Sequence, residues 1–158
     1  MTMKSLEFEG SFREIGRQHG EALREGAEAM CESRIELSLR RAQRVRPDAD
    51  IEWLLAVAAR HLAFHEHYCP DTYEEFLGIS EGAGIAPERL LIGNGYTDYV
   101  DVVTLGACGI CECTHITATG VATADGLTRL GQTWDMSFSA ARHVVCIRRR
   151  PTGAPATV

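Results

Sequence analysis

The sequence predicts an α+β chain: a helical N-terminal region followed by antiparallel strands. Three observations predict it. Apolar residues recur at helical spacing as far as Tyr99. Beyond Gly106 that stripe stops and β-branched residues alternate with others. Asp125-Gly126, a dipeptide suited to a two-residue hairpin turn, separates two such alternating stretches.

In chain order, Lys4 to Glu9 alternates weakly and reads as a short strand. Ser11, with Glu14 three residues on, forms a capping box and opens a helix. Phe12, Ile15, His19, Leu23, Ala27 and Met30 make its apolar face, and Pro47 with Asp48 and Asp50 ends it. A second helix starts at Ile51, carries Leu54, Leu55, Ala58, Leu62 and His65 on one stripe, and stops before Pro70. Asp71 to Glu81 is a third, ending at Gly82-Ala83-Gly84. Pro87 suits the first turn of a fourth, which runs toward Tyr99. Then come strands at 113–119, 127–134 and 143–149, read as a β-meander.

At 158 residues and 45% apolar side chains the chain can bury the core of one ordinary domain. Its formal charge of −6 argues against a surface that tracks phosphates. The runs Arg40, Arg41, Arg44, Arg46 and Arg148, Arg149, Arg150 are then solvated faces. Lys4 is the only lysine. Residues 1–10 lack the basic start, apolar core and small-residue cleavage site of a secretory signal. No stretch approaches the roughly 18 apolar residues of a membrane span. A cytoplasmic, reducing setting is therefore expected, in which six cysteines are free thiols, ligands or catalysts and not a disulfide framework.

Cys113-Thr114 stands where helical patterning yields to strand, and Asp135 closes the returning strand. With Asp125-Gly126 filling the two loop positions, Ile116 pairs with Asp135. Cys113 is then about 10 Å of strand from that position. Thiolate is the attacking form of cysteine, so a catalytic Cys needs a base. Cutting the Glu112-Cys113 bond would supply one. The exposed α-amine has an unperturbed pKa of about 7.7 to 8.0, near working pH, and sits beside its own thiol. Asp135 would orient that amine or help polarise the scissile carbonyl.

The ordered set GSFREIGRQHG (10–20), YEEFLGISEG (73–82), Cys113-Thr114, Asp125-Gly126 and GQTWD (131–135) resembles the acyl-coenzyme A:6-aminopenicillanic-acid acyltransferase (isopenicillin N acyltransferase-like) family of N-terminal-nucleophile hydrolases. The resemblance implies a self-cleaving precursor, with a helical pro or α-subunit region at 1–112 and a catalytic β-sandwich starting at 113–158. It further implies an αββα fold, acyl transfer or amide hydrolysis through an acyl-Cys113 thioester, and a supporting role for Asp135. No metal or organic cofactor is implied, acyl-coenzyme A being a possible donor substrate. The expected partners are a small-molecule amide or acyl donor, and the missing C-terminal half or a second subunit of the same precursor. Neither nucleic acid nor membrane is among them. Two positions depart from the family pattern: Glu112 stands where Gly is usual and Thr133 where Asn is usual. Glu adopts strained backbone angles at greater cost than Gly, which bears on the rate of self-cleavage.

Other readings use the same residues. Cys111 is the rival nucleophile. Cys108, Cys111 and Cys113, with His65, His67 and Cys69, are donors of the kind that hold zinc, although a second paired hook is missing. A helical scaffold without chemistry would account for the first hundred or so residues and leave the order of the later motifs unexplained.

Overall fold

The computed structural model of the chain describes residues 4–104, 113–133 and 138–158, without the side chains of positions 138 and 139. Strand β1 (Lys4–Gly10) leads into α1 (Phe12–Ala42), α2 (Ile51–Tyr68), α3 (Pro70–Ala83), α4 (Pro87–Asn94) and α5 (Tyr96–Val103). Strands β2 (His115–Ala118), β3 (Arg129–Gln132) and β4 (Val145–Pro151) follow. The fold class is α+β, and two compact units divide the chain: Met1–Cys108 together with His143–Val158, and Gly109–Arg142.

In the larger unit, α1 begins with the expected capping box. The Glu14 N–H donates to Ser11 Oγ at 3.3 Å and the Ser11 N–H donates to Glu14 Oε2 at 2.8 Å. The Ser11 N–H and then the Ser11 hydroxyl, both donating to the Glu14 carboxylate, hold it below its ordinary range. The helix is kinked at Leu23, whose φ of −124° and ψ of 18° are not helical. Before the kink α1 packs on α3; after it α1 still meets α3, through Arg24 with the Gly82 carbonyl and Cys31 with Phe76 and Ala83, and also packs on α4 and α5.

The α1–α3 contact is set by four glycines. A Cβ on Gly16 would lie 1.9 Å from the Glu75 carbonyl oxygen, and one on Gly20 2.4 Å from that of Ile79. Reciprocally, a Cβ on Gly78 would lie 2.2 Å from the Arg13 oxygen, and one on Gly82 2.1 Å from that of Arg17. Partners advance together along both helices, so the helices run parallel, backbone against backbone. Carbon and oxygen in van der Waals contact stand more than 3 Å apart, so no other residue fits these four places. Arg13 spans the crossing from outside, its Nη2 2.6 Å from Glu81 and its Nη1 3.2 Å from Glu74.

Two apolar clusters fill this unit: Cys31, Phe76, Ala83, Ile85 and Leu90 pack together where α1, α3 and α4 meet, and a larger one lies between the second half of α1 and helices α2, α4 and α5. Leu54, Val57, Ala58, Ile35, Ala42, Ile92, Tyr99 and Val103 fill it. Tyr99 donates its hydroxyl to the Leu54 carbonyl, and burial pushes its pKa well up. The helix expected from Pro87 to Tyr99 is two: Gly95 separates α4 from α5, so the described residues hold five helices where four were expected. The break lets α5 turn Tyr99, Val100 and Val103 inward.

The expected meander is also corrected. Strand β4 does not continue beside β3 but pairs in parallel with β1, from Lys4 opposite Val145 to Gly10 opposite Pro151. Side chains explain the choice. Phe8 on β1 is buried and stacks on His19 of α1, with ring centroids 6.0 Å apart. Arg149 on β4 places Nη1 2.6 Å from the carboxylate of Glu75 on α3, and Arg150 places Nε 2.5 Å from Glu7 on β1. On its other side Arg149 exchanges both backbone hydrogen bonds with Thr157, at 2.8 and 2.9 Å. Much of the basic character read as solvated faces is thus paired: Arg149 and Arg150 as above, Arg40 with Glu36, and Arg46 with Asp48 and over the Trp53 ring.

Gly16→Ala or Gly78→Ala should lower the stability of this unit by about 2–3 kcal/mol, since overpacking outweighs the ~1 kcal/mol gain in helix propensity. Gly95→Ala, whose Cβ would meet only the Leu91 oxygen at an ordinary 3.4 Å, should change it far less; urea denaturation followed by helical circular dichroism makes the comparison.

Burial holds the His19 pKa below its ordinary value; the Glu75 carboxylate raises it and Arg149 lowers it. The folded chain therefore favours neutral His19. Its contribution is complete above the unfolded pKa of about 6.5 and is lost as pH falls through the lower folded value. Stability measured between pH 7 and 5 should consequently fall less in His19→Gln than in the wild type.

Candidate functional site

The smaller unit is a β-ribbon built on Thr and Ile residues that suit extended backbone. His115, Ile116, Thr117 and Ala118 of β2 pair antiparallel with Gln132, Gly131, Leu130 and Arg129 of β3. This overturns the register expected from a two-residue turn, in which Ile116 faced Asp135. The connection is longer because the first strand ends at Ala118. The Ala122 N–H donates to the Thr119 carbonyl at 2.7 Å, and residues 120–122 form a short 3-10 turn. Gly120 also lies against the end of the loop, where a Cβ would be 2.9 Å from the Gly126 oxygen. Asp125-Gly126 does make a turn there: Gly126 has φ +73°, Asp125 Oδ1 accepts from the Leu127 N–H at 3.1 Å, and Asp125 pairs with Arg129. That turn sits inside the loop and is not the whole of it.

At the open end the ribbon closes on a pair of threonines. Thr133 donates its backbone N–H to the Thr114 carbonyl at 2.8 Å. The Thr114 N–H, which is the nitrogen of the Cys113-Thr114 peptide bond, donates back to Thr133 Oγ1 at 3.0 Å. The Thr133 hydroxyl in turn lies 3.4 Å from the Thr114 carbonyl as a donor. Cys113, one residue further out, is a free, exposed thiol. Sequence reasoning found Cys113-Thr114 but missed Thr133 as their partner. The signal was present in Gly120, which marks the end of the first strand and shifts the register to bring positions 114 and 133 together.

Glu112 and Asp135, expected at the cut and in support of the nucleophile, lie outside the described residues, as do Trp134, Cys108 and Cys111. In sequence, Asp135 is two residues beyond Thr133. The apolar side chains of the ribbon are open: Ile116 is 71% exposed and Leu130 78%. Neither face of the ribbon is packed as a core.

The donors proposed for zinc fare differently. His65 on α2 lies with Nε2 3.3 Å from Thr72 Oγ1 and packs edge-on against Tyr73 and Phe76. Cys69 stands between α2 and α3, as the residue before Pro70. Among the described residues no three His, Cys, Asp or Glu side chains gather as a metal site. The Cys69 thiol is lowered from its ordinary range, chiefly by the hydroxyl of Thr72 and then by that residue's backbone N–H. Burial pushes the Cys31 thiol up, to about 11.

A polar groove of about 420 Å³ opens where β1 and β4 end, lined by Glu9, Gly10, Glu14, Arg17, Gln18, Arg150 and Thr152. Its ionic groups are largely matched within the chain. Arg17 pairs with Glu21 at 2.6 Å, Arg150 with Glu7, and Glu14 caps α1, while Gln18 donates to the Glu9 carbonyl at 2.7 Å.

No family model matches the chain, and no curated protein matches it.

Exposure and thiol acidity together order the cysteines. Under native conditions iodoacetamide should label Cys113 and Cys69 and spare Cys31 until denaturant is added, with the pH midpoint at Cys69 below that of a free thiol; peptide mapping by mass spectrometry reads all three.

Proposed function

We propose that the chain is a self-processing cysteine N-terminal-nucleophile acyltransferase or amidohydrolase, and that the β2–β3 ribbon opens the catalytic sandwich. The observation that carries this reading is the exposed Cys113 thiol at the head of a ribbon whose terminal pair, Thr114 with Thr133, lies in the same stretch of chain as Asp135. The ordered motifs quoted above support it further.

Activation begins when Cys113 Sγ attacks the Glu112 carbonyl carbon. The C–N bond to Cys113 breaks, a thioester forms, and the amine takes up the thiol proton. Water then cleaves the thioester, leaving a Glu112 carboxylate and restoring the thiol. In turnover the free α-amine, with an unperturbed pKa of about 7.7 to 8.0, removes the proton from Sγ as the thiol attacks an amide or thioester substrate. An acyl-Cys113 thioester results, and the leaving amine or thiol carries the proton away. Water completes a hydrolysis; an acceptor amine completes a transfer, for which an acyl-coenzyme A would serve as donor. Asp135 orients the amine. The sandwich would be completed by a further C-terminal segment or a second subunit of the same precursor.

One observation favours a second reading, a helical scaffold without chemistry. Two of the quoted motifs, 10–20 and 73–82, carry structural roles that need no chemistry: the close approach of Gly16, Gly20, Gly78 and Gly82, the Ser11–Glu14 capping box, His19 against Phe8, and Glu75 with Arg149. Intact mass spectrometry separates the readings. The enzyme reading expects products ending at Glu112 and starting at Cys113, absent in Cys113→Ala and at least tenfold slower to form in Asp135→Ala. A single uncut mass for the wild type, also inert when joined to a C-terminal completing segment, sinks it.

A further inference from the structure

Resting on the proposed role of Cys113 as nucleophile, we infer that Thr133 is its positioning residue, acting through the hydroxyl and not merely as one more residue of a strand. In the proposed reaction one carbon atom, the Cys113 Cα, carries both chemical groups, the α-amine directly and the thiol through Cβ. After the cut, the Cys113-Thr114 peptide is the single covalent tether of that carbon to the protein. Whatever fixes this peptide fixes nucleophile and base at once.

The geometry assigns that task to Thr133. The tether's own nitrogen donates to Thr133 Oγ1 at 3.0 Å. The next carbonyl, that of Thr114, receives the Thr133 N–H at 2.8 Å and faces the same hydroxyl at 3.4 Å. The peptide plane is thus held at its nitrogen by a side chain and just beyond by backbone. Ladder bonding alone would not do this. The pair His115–Gln132 is the last within the strands, and residues past a ladder's end fray unless something else holds them. A hydroxyl is suited to the position because it accepts from the N–H and can donate to the carbonyl with one atom. Methyl groups of the same shape would leave the Thr114 N–H to water and let the Cys113 Cα swing. Displacements of about 1 Å in a reacting group cost up to ~10²-fold in rate, so the effect belongs on the rate and not on substrate affinity.

The test compares Thr133→Val, which keeps the branched shape without the hydroxyl, with Thr133→Ser, which keeps the hydroxyl. Two quantities are followed: the rate of cleavage before Cys113 by intact mass, and hydrogen exchange of the Thr114 amide against that of Leu130 within β3. Thr133→Val should slow cleavage by tenfold or more and unprotect the Thr114 amide while Leu130 keeps its protection; Thr133→Ser should stay within about threefold of wild type in both. With p-nitrophenyl acetate as acyl donor, kcat should fall in Thr133→Val with KM little changed. Cleavage in Thr133→Val at the wild-type rate overturns the positioning role while leaving the nucleophile in place. Equal loss in a folded Thr133→Ser overturns it too, and this comparison holds even if Thr133→Val loses the ribbon. A Thr114 amide as unprotected in wild type as in Thr133→Val overturns it on geometry alone. A wild type that is neither cut nor acylated at Cys113 overturns the nucleophile reading itself and the positioning role with it.

Discussion

Four glycines facing one another across α1 and α3 constrain everything else in the larger unit. Because no side chain stands between the two backbones at Gly16, Gly20, Gly78 and Gly82, the helices meet at a separation that any Cβ would forbid. That closeness places Glu75 where β4 can reach it with Arg149, and puts His19 against Phe8 of β1. The parallel strand pair is therefore seated on the helix pair through a short list of specific contacts. Glu75 has little exposure of its own, so its ion pair with Arg149 is compensation for a carboxylate that would otherwise be desolvated alone.

The ribbon poses the opposite physical problem. Two four-residue strands with apolar side chains open to water are marginal as an independent structure. What holds them is local: the Thr114–Thr133 closure at one end, and at the other a loop knit by Asp125, Gly120 and the turn from Thr119. A thiol at the fixed end of such a ribbon is accessible. That is a requirement for chemistry and equally a liability for a cysteine with no task.

Legibility from sequence followed the range of the interactions. The α1 capping box, the helix breaks at Pro47 and before Pro70, and a stop for α3 near Gly82-Ala83-Gly84 rest on neighbours in sequence and were readable, although α3 runs on to Ala83 and only Gly84 is the αL cap. Gly95 was readable as a residue but not as a break, because its neighbours continue an apolar stripe that a turn redirects. The partner of β4 was not readable at all. Residues 145–151 have the composition of any strand, and what selects β1 is a side-chain pairing with α3 decided by the fold. The ribbon's register failed for a narrower reason. Asp125-Gly126 alone suggests a two-residue turn, whereas the loop starts after Ala118 and includes the 3-10 turn at Gly120. At the site, Cys113 stood out through its place in an ordered set of motifs, whereas Thr133, a departure from that pattern, was noted only as a difference. Its role depends on which residue it faces, and register alone supplies that.

The parallel pairing of β1 with β4 makes two segments more than a hundred residues apart clasp one another. Seven residue pairs and the Glu7–Arg150 ion pair join segments that lie on opposite sides of almost any backbone break one can imagine. Severed anywhere from residue 11 to residue 144, the polypeptide would become two strings knotted by one shared sheet, each keeping the other in register without a covalent bond. A molecule with that topology can undergo scission and remain a single particle.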